Sequence, residues 1–291
     1  MSEPADVWIL SVPARNPAEA EILRAWLENA TDTSPVEMEF LDQAVLWLEA
    51  YFENETEARL LLCAFKDGFP EVEAQVRHCG AKDWTTFWQH HFQPVEIGKS
   101  LMILPEWLRE KVEVPEGREV ILINPGLSFG TGNHFTTRFC LEMIDRLHSQ
   151  GFHPDRMLDA GCGSAILSIA ARKLGWENIL AVDFDAMALE QAAENLVLNQ
   201  VEGITLEVKD LTQTWFDQTY PLLAANLYGG LLMELAPKLV RACSGTMILS
   251  GIRTIEADAV ATIFGQLGAV EKVCEADHEW CGMLLDCSNA G

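Results

Sequence analysis

The chain has 291 residues, 49% of them apolar, and a formal net charge of −24 from 44 acidic against 20 basic residues. That length exceeds the roughly 100–200 residues of one domain and accommodates two. The charge argues against a direct nucleic-acid partner, since no basic patch is concentrated enough to overcome it; it would attract a basic protein, although on charge alone a plain solvated acidic surface is the favoured reading. No apolar run reaches the roughly 20 residues of a membrane span. The N-terminus, MSEPADVWILSVPARN, lacks the basic and long apolar regions of a signal peptide, so a cytoplasmic protein without membrane contact is expected. The eight cysteines form no CxxC pair and no Cys/His spacing suited to zinc, which predicts reduced thiols used as small hydrophobes and no metal site.

In chain order, VWILSVPAR (7–15) alternates like a strand. NPAEAEILRAWLENA (16–30) has helical spacing, with Asn16 as cap and Pro17 in the first turn. VEMEFLD (36–42) and AVLWLEAYF (44–52) read as a hairpin, TEARLLLCAFKDGF (56–69) as a helix and VEAQVRHC (72–79) as a further strand. This βαββαβ order predicts a small ferredoxin-like α+β domain over 1–80. In DWTTFWQHHFQPVEIGKSLMILPEW (83–107), Trp84, Phe87, Trp88 and His91 share one helical face that Pro94 ends, so 81–117 reads as a linker with a connector helix. A hairpin-like stretch through REVILINPGL (118–127) opens the second domain, 118–291. From Thr136 onward, apolar strands at 156–163, 178–185, ITLEVKDL, LLAANLYG and GTMILSGI alternate with helices, which predicts a parallel sheet covered on both faces. AVEKVCEADH and EWCGMLLDC close the chain as an antiparallel edge pair.

LDAGCGSAIL (158–167) sits at the first strand-to-helix turn of this alternation, where a doubly wound sheet binds its ligand. It is not the dinucleotide fingerprint, because Ile166 stands where the third glycine belongs, and there is no G-K-[ST] for a nucleoside triphosphate. Asp159-x-Gly161-x-Gly163-x-Ala165 instead resembles motif I of the S-adenosylmethionine (SAM) methyltransferases, with Ala165 replacing the last glycine and adding one methyl where helix and strand pack. Asp183, ending the second strand, suits the two hydroxyls of a ribose. Asp185 reads as the cap of the next helix ahead of a cofactor contact, and Asp210 as either a contact to an adenine amino group or a turn carboxylate.

Asn226 in AANLYGG lies where amine-modifying methyltransferases carry N-P-P-[YF], although Leu227 and Tyr228 replace the prolines. An amide oxygen there, with the Leu227 main-chain carbonyl, would accept the hydrogens of a target amine and aim its lone pair. In NPGLSFGTGNHFTT (124–137), Asn124 and Pro125 shape a turn. Thr131, Gly132 and Thr136 are expected at the cofactor's carboxylate, and Phe129 as its cover. Thr136 can also cap the helix that follows. His134 is a candidate base, with a loop-holding hydrogen bond the favoured reading.

GTGNHFTT, LDAGCGS, VDFD, ANLY, SGI and EWC occur in the order of the PrmA family, ribosomal-protein methyltransferases that act on the large-subunit stalk-base protein, and DWTTFWQHHFQPVEIG resembles that family's connector. The resemblance covers most of the chain and is loosest over 1–80. It implies a Rossmann-like class I methyltransferase sheet with an antiparallel edge and SAM as cofactor. It also implies methylation of lysine side-chain amines and an N-terminal α-amine on a basic ribosomal protein, which the front domain holds. A monomer is expected. Another protein lysine, a small amine, or a non-catalytic SAM-binding module remain the alternatives.

Overall fold

Alternation along residues 7–14 sends Leu10, Val12 and Ala14 to one side of a strand, and that apolar face dictates what packs on it. A computed structural model describes residues 7–30, 36–39, 46–52, 54–79, 94–123, 134–213 and 216–290. It divides into two units, 1–92 and 93–291.

The first unit runs β1 (Val7–Ala14), α1 (Pro17–Ala30), β2 (Val36–Glu39), β3 (Leu46–Phe52), α2 (Glu55–Gly68) and β4 (Gln75–Cys79). Its sheet has the order β2-β3-β1-β4 with every neighbour antiparallel, the ferredoxin-like arrangement. Asn16 accepts the Glu19 N–H at 2.9 Å and Asn54 the Glu57 N–H at 2.9 Å, so each helix starts on an asparagine cap. Leu23 and Leu27 of α1, with Leu61 and Phe65 of α2, bury Leu10, Val12, Leu48 and Ala50. The opposite strand face carries a buried carboxylate, Glu49, which accepts from Ser11 at 3.0 Å, Tyr51 at 2.9 Å and Arg77 at 2.9 Å.

The second unit begins with three strands: β5 (Val95–Ile97), β6 (Leu101–Pro105) and β7 (Glu119–Ile123). β5 and β6 form a hairpin and β6 runs parallel to β7. Residues 95–105 were expected as linker and are sheet instead, and β7 finds its partner in β6 rather than in a hairpin of its own. The physical cause is the turn at Gly98 (φ +50°). Asp145 clasps that turn, accepting the Lys99 N–H at 2.9 Å and the Ser100 N–H at 2.8 Å. The predicted connector helix and its Trp84, Phe87, Trp88 and His91 lie outside the described residues.

There follow α3 (Phe135–Ser149), β8 (Met157–Ala160), α4 (Ile166–Lys173), β9 (Ile179–Asp183), α5 (Ala186–Asn199), β10 (Ile204–Val208), β11 (Tyr220–Asn226), α6 (Gly229–Ala242), β12 (Cys243–Arg253), α7 (Ala257–Gln266), β13 (Val270–Ala276) and β14 (Trp280–Asp286). The sheet order is β10-β9-β8-β11-β12-β14-β13. β8 to β12 are parallel, while β14 is antiparallel to both its neighbours. Strand order reverses between β8 and β11, the topological switch point where such sheets open a crevice. The Asn199 side chain closes the free edge of β7, accepting the Leu122 N–H at 2.7 Å and donating to the Leu122 carbonyl at 2.8 Å. No helix among the described residues is long and apolar enough to cross a membrane. All eight cysteines are free thiols, six of them buried.

Candidate active site

The β8–α4 turn bends three times through the left-handed region, at Gly161 (φ +76°), Gly163 (φ +50°) and Ala165 (φ +60°). The Gly161 and Cys162 N–H groups both donate to the Val182 carbonyl, at 2.8 and 2.9 Å, which folds the turn over the end of β9. A side chain on Gly161 would run into Leu227, whereas beside Gly163 there is open space within 4 Å. The main chain at Gly163 is therefore open to a ligand. Ala165 is more than an added methyl between helix and strand. It is the fully buried, left-handed N-cap residue of α4, a conformation that costs an alanine about 1 kcal/mol.

Two carboxylates line this turn. Asp159 is 1% exposed and accepts the Ser168 N–H at 3.2 Å and hydroxyl at 2.6 Å. Burial pushes its carboxyl up to about 6 despite those bonds, and the neighbouring Asp183 charge adds to the rise. Asp183 accepts the Gly163 N–H at 2.9 Å through one oxygen and the Asp185 N–H at 3.1 Å through the other. Each oxygen keeps a second lone pair for a ligand hydroxyl. Asp185 caps α5, accepting the Met187 N–H at 2.9 Å. Asp210 is a turn carboxylate: it holds Thr212 through its N–H at 2.8 Å and hydroxyl at 2.6 Å, and Gln213 at 2.7 Å. The Thr212 hydroxyl keeps it below the usual carboxylate range.

Sequence reasoning missed the apolar ledge beside Asp183. Phe184 is 78% exposed, Met187 76% and Val208 59%. The signal was present in VDFDAM, where two apolar residues flank a helix cap and have no core to enter. A vicinal diol on Asp183, a flat base on this ledge and a cationic tail toward two carboxylates fit a SAM-like molecule, so the residues present suit the cofactor.

On the other side of the switch point, Asn226 ends β11 in register with Ser250. Its Nδ2 donates to the buried Thr137 hydroxyl at 3.4 Å, which turns the amide oxygen away from α3. Thr137 was not foreseen, because only folding brings it across 89 residues to Asn226. The Leu227 N–H donates to the Ser250 carbonyl at 3.0 Å, and its own carbonyl takes no main-chain donor among the described residues. That carbonyl faces Gly251 (φ +81°), where a Cβ would lie 2.5 Å from the oxygen. Glycines on both sides thus wedge Leu227, which stands in the place of a proline.

Thr136 is not the N-cap of α3. His134 is, and its Nδ1 accepts the Thr136 N–H at 3.4 Å and meets the Thr136 hydroxyl at 2.8 Å. Thr136 is the second helical residue and only 1% exposed. The His134 ring stands edge-on to Trp280 at 5.2 Å. Its bonding holds the start of the helix. Asn124, Pro125, Phe129, Thr131 and Gly132 lie outside the described residues.

The chain is similar to known proteins in both sequence and fold. The family model for ribosomal protein L11 methyltransferase (PrmA) matches residues 18–287. The ribosomal protein L11 methyltransferase of Geotalea uraniireducens is 35% identical over 272 residues, spanning 84% of this chain and 84% of that protein. The relative from Lactobacillus delbrueckii subsp. bulgaricus is 32% identical over 299 residues, spanning 96% and 91%. A crystal structure of a ribosomal protein L11 methylase from that organism superimposes with a TM-score of 0.61 at 29% identity, covering 67% of this chain and 98% of that one. On a family match over most of its length and on these relatives, the chain belongs to the PrmA family of SAM-dependent ribosomal protein L11 methyltransferases.

Proposed function

We propose that this protein methylates amine nitrogens of ribosomal protein L11, on lysine side chains and at the N-terminus. The observation that carries the reading is the pair of acceptors at the end of β11. One is the Asn226 amide oxygen, with its Nδ2 on Thr137, and the other the Leu227 carbonyl, which takes no main-chain donor among the described residues. Two acceptors on consecutive residues would suit a nitrogen that must present two hydrogens backward and its lone pair forward. The names of the relatives supply the substrate, and the net charge of −24 suits a basic one.

Bound at the β8–α4 turn, SAM supplies a methyl group on a positively charged sulfur that leaves as a neutral thioether. Asp183 would hold its ribose, the Gly161–Gly163 main chain its tail, and Thr136 with Phe129, Thr131 and Gly132 would close over it. Asp159 sits behind Gly161 as a buried countercharge for that cationic tail. A lysine amine has a reference pKa of about 10.4 and must shed a proton to water before it can attack. Desolvation at Asn226 favours the neutral amine, and orientation by Asn226 and Leu227 supplies much of the acceleration. His134 is read as holding the start of α3 rather than as a base, its Nδ1 lying 2.8 Å from the Thr136 hydroxyl. The ferredoxin-like domain expected over 1–80 would hold L11, and the protein would act as a cytoplasmic monomer.

Labelled methyl transfer from SAM into a panel of purified ribosomal proteins, with product sites mapped by mass spectrometry, tests the reading. Label on L11 lysines and its N-terminus is expected. Asn226→Ala should lower turnover about a hundredfold at near-constant SAM affinity. Label confined to another protein or to a small amine would overturn the substrate, and equal losses of turnover and SAM affinity would overturn the role of Asn226.

A further inference from the structure

Five of the large apolar side chains left exposed stand at or just beyond the C-terminal ends of β9 to β12. Phe184, Met187 and Val208 flank the donor pocket. Tyr228 (66% exposed) and Ile255 (86% exposed) stand apart from them, past β11 and β12, beyond Asn226 and its register partner Ser250. Tight packing draws these two segments together. A Cβ on Gly229 would lie 2.6 Å from Glu256 Oε2, so residues 254–256 rest on the start of α6. The Thr254 N–H donates to the Glu279 carbonyl at 2.9 Å, which adds the β13–β14 turn to the same edge. The Tyr228 ring lies along Gly230, whose added Cβ would stand 3.4 Å from Cε2. Across 253–256 and 277–279 the chain carries Glu256, Asp277 and Glu279 against Arg253 and His278.

We propose that this lip of Tyr228 and Ile255, rimmed by carboxylates, docks the substrate segment that carries the target amine, and that it selects an extended cationic segment with an apolar residue beside the lysine. The inference rests on the amine-methylation reading and adds a second grip, on the catalytic unit itself. Exposed apolar residues beside a reacting centre suit a macromolecule, because a small amine would be enclosed by the acceptors alone. The acidic rim fixes the sign of the partner, since a cationic segment gains from Glu256, Asp277 and Glu279 what an acidic one would lose.

Ile255→Lys and Tyr228→Ala should each raise KM for L11 about tenfold or more, with SAM affinity by calorimetry unchanged. Val197→Lys, on an exposed α5 residue, should leave KM where it was. A benzophenone amino acid at position 255 should cross-link to L11 whether or not Asn226 is intact. Absence of that cross-link, or unchanged KM in both lip variants, would overturn the docking. So would a stable dimer of the wild type that Ile255→Lys dissociates. Failure of the functional reading shows separately, as a cross-link to L11 without methyl transfer.

Discussion

Ala165 holds a left-handed backbone (φ +60°, ψ +23°) with no exposed surface, at the position where motif I carries glycine. Relief of its strain, about 1 kcal/mol, is partly offset by the extra freedom glycine gains in the unfolded chain. Ala165→Gly should therefore leave stability unchanged or raise it by up to about 1 kcal/mol in urea unfolding. Gly161→Ala should lower it by about 1–3 kcal/mol, because strain at φ +76° and collision with Leu227 add together. Asp159 makes the opposite kind of sacrifice. Its carboxyl is raised from 3.8 to about 6, so the folded protein holds a proton that the unfolded chain releases across that interval. Stability from this group is lost as pH rises through the window. Asp159→Asn should stabilise the ligand-free protein at neutral pH by roughly 1–3 kcal/mol. A cationic donor favours the ionised form, so SAM affinity should weaken as pH falls below about 6 in the wild type and lose that dependence in Asp159→Asn. Calorimetry across the interval checks both.

At the scale of elements, Asn199 is a side chain doing a strand's work. It pairs with both polar groups of Leu122 at the free edge of β7. Asn199→Leu keeps the bulk and leaves a buried N–H without a partner, so a loss of about 2–3 kcal/mol is expected in chemical denaturation. Nothing in ENLVLNQ announces this role, because an asparagine ending a helix already has a local explanation. The regular elements were legible where burial imposes a period: the two-residue alternation of β1 and the apolar runs of β8, β9, β11 and β12. β5 and β6 were not, because VEI and LMILP are too short to show a period and their register depends on Asp145, some 45 residues away. The same divide runs through the site. Asp159, Gly161, Gly163, Asp183 and Asn226 stand at strand ends, where position alone suggests a role. Thr137, the left-handed Ala165 and the exposed ledge depend on contacts or dihedrals that a linear pattern does not carry.

Over the whole molecule, 24 excess negative charges set a long-range field toward a basic partner. Raising salt from about 20 to about 200 mM shortens the Debye length from roughly 20 Å to roughly 7 Å, so kcat/KM for L11 should fall several-fold while SAM affinity changes little. Stopped-flow association across that range would locate the loss in the on-rate. A second whole-molecule property follows from the wedge at Leu227, whose side chain packs beside Gly161 on the β8–α4 turn and whose carbonyl faces Gly251 on β12. Leu227 is therefore the shortest packed link between that turn and the end of β11. Any coupling carried by this contact must be reciprocal, donor and substrate each changing the other's equilibrium affinity by the same factor. Reciprocal titrations with the demethylated donor and L11 should return equal factors, and Leu227→Ala should bring both toward one. A single leucine in a proline's place thus packs against both the β8–α4 turn and the end of β12, and its truncation is the test of whether the two communicate.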